Sequence, residues 1–247
     1  MMEDTGFLPP NVMWSFVVLS AGFVLGLGLG IIYCWIKGTT RPQHMAPYDR
    51  AFNVTAIKAY MMGTGAALPL LALGVYFGTF SLELPTSGRE VLYDILKVIP
   101  LWIGSDLLAY FYHRYLEHDP RMGIFYRAHN VHHEYVYSGS PLTGFHTHWL
   151  EMLFTTQLGS VLFILLPGST IFCFAAYTVA VGFVTMTGHC DIDDKMSSRH
   201  HRLHHTDPET NYSETWEIID LIFGTKIYES ERNPPVGTGA GVDVSSK

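Results

Sequence analysis

The apolar positions of this chain form long, nearly unbroken runs rather than the alternating stripes of a soluble domain. The first extends from about Val12 to Ile36, holds GFVLGLGLG in its middle and closes on Lys37. A second, from about Ala56 to Phe80, contains Gly63, Gly65, Pro69 and Gly74, and the connector SLELPTSGRE follows it. A third, about Val91 to Tyr112, carries Asp94, Lys97 and Asp106 and leads straight into His113. A fourth stretch, Trp149 to Thr187, is broken at LPGST and reads as two spans or a re-entrant hairpin around a tight turn. A helix needs roughly 20 apolar residues to cross the hydrocarbon core. Glycine and proline are tolerated in such helices, and ionisable groups at that depth face the protein interior or water. The pattern predicts an all-α integral membrane helical bundle of four to five spans with a helical cap.

Composition agrees, because 48% of the residues are apolar and only 15% charged, with a mean hydropathy of +0.19. A net charge of −7 and the lack of any long basic run argue against a nucleic-acid partner. Cys34, Cys173 and Cys190 are odd in number and show no CxxC spacing, so they read as small hydrophobes rather than a disulfide framework. The acidic start MMED lacks the basic region of a signal peptide and the following run is too long for one, so the first run is expected to be a retained span. Lys37, Arg41 and Arg50 place the loop after it on the cytoplasmic side. Residues 1–112 are then N-terminal transmembrane helices, 113–232 a histidine-rich region including a transmembrane hairpin at 149–187, and 233–247 a flexible tail rich in Gly, Pro and Ser.

The chemistry is carried by histidine. All thirteen histidines except His44 fall between His113 and His205, in the clusters HRYLEH, HNVHH, HTH, GHC and RHHRLHH. Counting crossings from the cytoplasmic loop brings every cluster to the cytoplasmic face. Imidazole is a neutral nitrogen ligand suited to zinc, iron, copper and nickel. A helix places i, i+3 and i+4 on one face, a condition met by His129, His132 and His133 and again by His201, His204 and His205. His113 and His118, five apart, diverge by roughly 140° on an ideal helix, so they either bind different ions or sit where the helix ends. Glu117, Glu134, Glu151, Asp191 and Asp193 border the clusters and are candidates to accept the second ring N–H of a metal-binding histidine. His44 reads as a surface or interfacial residue, and His146 and His200 as neighbours of true ligands.

From about Ile103 to Thr225 the chain resembles the membrane-bound fatty acid hydroxylase and sterol desaturase superfamily, with the motifs in the family's order. HRYLEH resembles the first histidine box, implicating His113 and His118, and HNVHHEY the second, adding His129, His132 and His133. HTHWLE is similar to the "HPLE" element of the sterol C4-methyl oxidase branch and puts His148 in the histidine slot; GHCDID resembles that branch's "HSGYD" and implicates His189. RHHRLHH followed by NY resembles the last box and implicates His201, His204 and His205, while IDLIFGT looks like the ending "WDxxFGT" with Asp220 in the acidic position. The chain departs from that branch in the four residues between His113 and His118, as in fatty acid 2-hydroxylases, and in Trp149, Ile219 and Thr185. Thr185 stands where fatty acid hydroxylases have a further histidine, a ring that His148 is expected to replace.

The resemblance implies a di-iron monooxygenase that hydroxylates a C–H bond of a sterol, fatty acyl or sphingoid lipid. It further implies O2 and an electron donor such as a small cytochrome or ferredoxin with its reductase. Two iron ions are the expected cofactors, with zinc able to replace them in purified protein. No catalytic residue beyond the ligands is expected, and no GxSxG, HExxH or dinucleotide fingerprint occurs. The membrane would be the endoplasmic reticulum or a bacterial inner membrane. A desaturase sharing the same metals and a non-enzymatic membrane metal transporter or sensor are the rivals. The latter requires ligands along a crossing route, whereas here the histidines border the spans.

Overall fold

The computed structural model describes residues 10–37, 58, 65, 69–70, 72–134, 141–165, 168–190 and 199–228. His44, about half of the second apolar run, Asp191, Asp193 and the tail lie outside the described residues. The helices are α1 (Pro10–Ile36), α2 (Gly88–Tyr112), α3 (Ile124–His132), α4 (Trp149–Leu165), α5 (Ile171–Gly188), α6 (Arg199–Thr206) and α7 (Glu217–Phe223). Short helical turns occupy His113–Glu117, Pro120–Met122 and Pro141–Phe145. Among the described residues the all-α expectation is met except for one parallel pair of two-residue strands, Phe80–Ser81 against Ser169–Thr170.

α1 lies close along α5, with no side chain on the α1 side at three levels. Gly22, Gly26 and Gly30 recur every fourth residue, and a Cβ at those positions would stand 2.8 Å from Thr178 Oγ1, 2.2 Å from Val179 O and 2.4 Å from Met186 Cβ. From the other side Gly182 faces Phe23 O at 3.0 Å. Small residues at these levels let the two helix backbones approach closely. Gly26→Val should therefore push α1 off α5 and cost about 1–3 kcal/mol, the usual range for overpacking. Gly28→Ala, with open space around its Cβ, should be silent. Thermal unfolding of both variants in one detergent checks the contrast.

α2 starts at Ser87, which accepts the N–H of Glu90, while the Glu90 carboxylate reaches back to the N–H of Thr86 at 2.6 Å. Asp94 and Asp106 turn inward. Asp94 accepts from Thr170 Oγ1 at 2.6 Å and from Lys97 Nζ at 3.3 Å, and Lys97 also donates to Gly168 O at 2.6 Å. These bonds tie α2 to the turn that opens α5. Around them Phe80, Val98, Leu101, Ile171, Cys173 and Phe174 form the core. All three cysteines are buried thiols.

The outer faces are apolar. Along α2, Leu92, Ile95, Leu96, Ile99 and Ile103 form an exposed stripe, and on α1 Val24, Leu25, Leu29, Ile32 and Ile36 are exposed too. Among the described residues one helix, Ile171–Gly188, is long and apolar enough to cross a membrane by length and composition, and Ser20–Ile36 is a shorter apolar helix.

Candidate metal centre

α2 widens where the histidines begin. His113–Glu117 is a π-helical turn, closed by the N–H of His118 donating to His113 O at 3.0 Å. An i→i+5 bond stacks residue 118 over residue 113, where an α-helical turn would have swung it aside. The two Nε2 atoms end 3.2 Å apart. The five-residue spacing is thus resolved at a helix end, and both rings join one group.

Ring nitrogens converge in two groups, each within 4.8 Å: His113, His118, His129, His133 and His204 in one, His132, His189, His201 and His205 in the other. α3 and its C-cap send His129 and His133, four apart, to the first group and His132 to the second. α6 does the reverse, sending His201 and His205 to the second and His204 to the first. The groups adjoin, with the His133 and His205 ring centroids 4.6 Å apart.

Backbone and carboxylate acceptors assign the ring tautomers. Nδ1–H donates from His113 to Tyr212 O (2.6 Å), from His204 to Thr210 O (2.7 Å), from His189 to Thr185 O (2.8 Å) and from His132 to His146 O (3.3 Å). In His129 the acceptor is Glu151 Oε1 at 3.0 Å. Each Nε2 is then a bare lone pair. Yet His113 Nε2 faces His129 Nε2 at 3.0 Å, His189 Nε2 faces His132 Nε2 at 3.2 Å, and the buried His204 Nε2 has no hydrogen-bond partner among the described residues. Lone pairs aimed at one another repel. A cation between them turns the repulsion into coordination, so the donor set fits metal ions.

Burial, first of all, disfavours the charged imidazolium. It pushes His113 and His189 down to about 4, and with neighbouring rings added it takes His133 to about 3 and His118 to about 2. The rings are neutral at physiological pH, the form that ligates metal. Glu117 Oε2 stands 3.7 Å from His129 Nδ1, behind the same ring as Glu151, whose other oxygen accepts from Thr147 Oγ1 at 2.5 Å. Burial and then the Glu151 and Glu214 charges hold the Glu117 carboxyl well above its usual range, and burial followed by Asp106 raises Glu214 to about 7. Glu134 pairs instead with His146 Nε2 at 2.9 Å.

The loop that supplies Thr210 O and Tyr212 O is fixed by two buried aspartates. Asp220 on α7 accepts the N–H of Tyr212 (2.7 Å), the N–H of Ser213 (3.0 Å), the hydroxyl of Thr225 (2.8 Å) and the Ser213 hydroxyl. Asp106 on α2 accepts the N–H of Glu214 (3.0 Å), Thr215 (3.2 Å) and Trp216 (2.6 Å). Asn211 adopts φ 51, its N–H donating to Thr225 O and its side-chain oxygen accepting from Ile227 N–H at 3.0 Å. Asparagine tolerates that left-handed conformation better than most residues.

Nine of the ten sequence-predicted rings are brought together, and His148 is not. It stands outside both groups, immediately before α4, where its Nδ1 accepts the N–H of Leu150 at 3.2 Å. The helix start holds the ring that was expected to fill the gap at Thr185, and Thr185 contributes its carbonyl to His189 instead. His146 and His200 also stay outside, the latter 3.7 Å from Glu217. Sequence reasoning missed Asp106 as a loop anchor and Gly144, where a Cβ would stand 2.7 Å from His189 Nδ1. Only the acid within an apolar run gave a signal.

Residues 98–225 match the family model described as fatty acid hydroxylase, a stretch of just over half the chain. The chain belongs to the fatty acid hydroxylase family. The match encloses all nine gathered rings and both aspartates. Membership gives the chain the general character of an oxidoreductase that hydroxylates lipids. Neither a curated protein nor a solved structure matches the chain.

Proposed function

We propose that this fatty acid hydroxylase family member is a membrane di-iron monooxygenase that hydroxylates a C–H bond of a sterol, fatty acyl or sphingoid lipid. His113, His118, His129, His133 and His204 would hold one ion, and His132, His189, His201 and His205 the other. The observation that carries this is the facing of bare Nε2 atoms at 3.0 and 3.2 Å between rings whose other nitrogen is already committed. Two iron ions bound there would supply O2 activation, with one oxygen inserted into an unactivated C–H bond and the other reduced to water by an external cytochrome or ferredoxin.

The protein's own share is positioning. Tyr212 O, Thr210 O, Thr185 O and His146 O hold the Nδ1 protons, and therefore the ring orientations, without adding charge. Glu151 and Glu117 place carboxyl oxygens behind His129 alone. Burial of the rings keeps bulk water away. The apolar outer faces support a bundle of four to five spans with the rings at the ends of the spans, on the cytoplasmic side by the charge of the loop after α1. Similarity of HTHWLE and GHCDID to the sterol C4-methyl oxidase branch supports a sterol among the candidate lipids.

Lipid extracts from cells with and without the protein, grown under 18O2 and compared by mass spectrometry, test the reading. The expected product is a lipid bearing an 18O-labelled hydroxyl. A new double bond with no label would overturn hydroxylation in favour of desaturation. Unchanged lipids together with altered cellular zinc would favour a transporter or sensor.

A further inference from the structure

We infer that α7 is a membrane-surface helix whose outer side docks on the lipid that surrounds α2. Ile218, Leu221 and Ile222, spaced i, i+3 and i+4, share one side of α7 and are 52%, 56% and 69% exposed. The opposite side is buried, with Ile219 in the core and Asp220 holding the 212–213 backbone. A water-facing helix would be expected to have the reverse distribution, with polar residues outside.

Where α7 sits names the occupant. Its start is bound to Asp106 through the N–H groups of residues 214–216, and its end packs on α2, Phe223 stacking on Tyr110 at 4.9 Å and meeting Phe111 at 5.1 Å. α7 therefore runs beside the last two turns of α2. There the exposed Leu107, Leu108 and Phe111 continue the apolar stripe of α2 onto Phe223 and the outer side of α7. The rim of this surface is aromatic and cationic: Arg114 lies over Tyr115 at 5.2 Å and Lys226 over Tyr228 at 4.6 Å, and both tyrosines are half exposed. Tyrosines and basic side chains with apolar stems are the residues that settle at a headgroup boundary. An apolar face on a helix lying flat, bordered by such residues, is the signature of an interfacial helix. Because Asp220 projects from the inner side, the lipid seat of α7 also fixes the loop that orients His113 and His204.

The inference rests on the membrane reading of α2, and the test separates the two. Full-length, metal-loaded protein in phosphatidylcholine–phosphatidylserine nanodiscs would carry a spin label at Ile222→Cys, Ile99→Cys or Arg121→Cys. The native cysteines are buried and escape labelling. Relaxation by O2, which concentrates in hydrocarbon, is compared with relaxation by a water-soluble nickel chelate. Ile99 reports the span, and Arg121, 86% exposed, reports water. The Ile222 label should shift to the Ile99 ratio, accessible to O2 and sheltered from nickel. An Ile222 label as open to nickel as the Arg121 label, with Ile99 still sheltered, would overturn the inference and leave the span intact. Protection from both reagents would mean a covering protein surface, such as a second copy, and would overturn it too. Nickel access at Ile99 would remove the membrane reading itself.

Discussion

His204→Ala is expected to abolish turnover and release metal from the five-ring group, while His148→Ala retains both ions. His204 is fully buried, its Nδ1–H is committed to Thr210 O, and its Nε2 lone pair, without a hydrogen-bond partner among the described residues, is left available to a metal ion. Changing a residue that only orients a ligand already costs about 10–100-fold in metal affinity or activity, and losing a ligand outright should exceed about 100-fold. His132→Ala is the matching change in the four-ring group. Its ring faces His189 at 3.2 Å, and the loss should fall on that group's ion. Elemental analysis of purified protein gives the metal stoichiometry, circular dichroism the retained helix content, and product formation the turnover. Two ions retained in both His204→Ala and His132→Ala would remove the metal assignment. Metal loss in His148→Ala would return that residue to the ligand set.

How much of this was legible depended on which physical period each feature obeys. HNVHH and RHHRLHH follow the helical repeat, so six of their seven rings could be gathered from sequence, although not how each triplet divides between the groups. His113 and His118 could be gathered only by resemblance, because the π-turn that stacks them breaks that repeat. The motif likeness carried His148 into the site, but a ring next to a helix start has a nearer use in accepting a backbone N–H. The acceptors that set the tautomers are mostly main-chain carbonyls, and no side-chain pattern announces a carbonyl. The α1 run was legible as an apolar helix, yet its glycines acquire meaning only when Gly182 and Val179 stand opposite. Asp94 and Asp106, expected to face the interior or water, face the interior; that one anchors a turn and the other a loop is a matter of tertiary contact.

Asp220→Asn should remove the ion of the five-ring group selectively. The carboxylate accepts on both oxygens, from Tyr212 N–H on one and from the N–H and hydroxyl of Ser213 on the other. Asparagine keeps the size but has one oxygen, so either orientation turns an NH2 toward a backbone N–H. A buried donor left without an acceptor costs about 1–3 kcal/mol, and the 210–213 loop relieves that cost by moving. Its carbonyls hold His113 and His204, both in the five-ring group, whereas His189 and His132 take their orientation from Thr185 and His146, which Asp220 does not touch. The expected outcome is a fall of about 10–100-fold in affinity for one of two ions, read by competition with a chelator, and a corresponding loss of turnover. In cobalt-substituted protein the ligand-field bands of one site should change and those of the other persist. If both ions weaken together while the helices remain folded, the loop does not act through those two rings. If neither weakens, Asp220 has no part in positioning them.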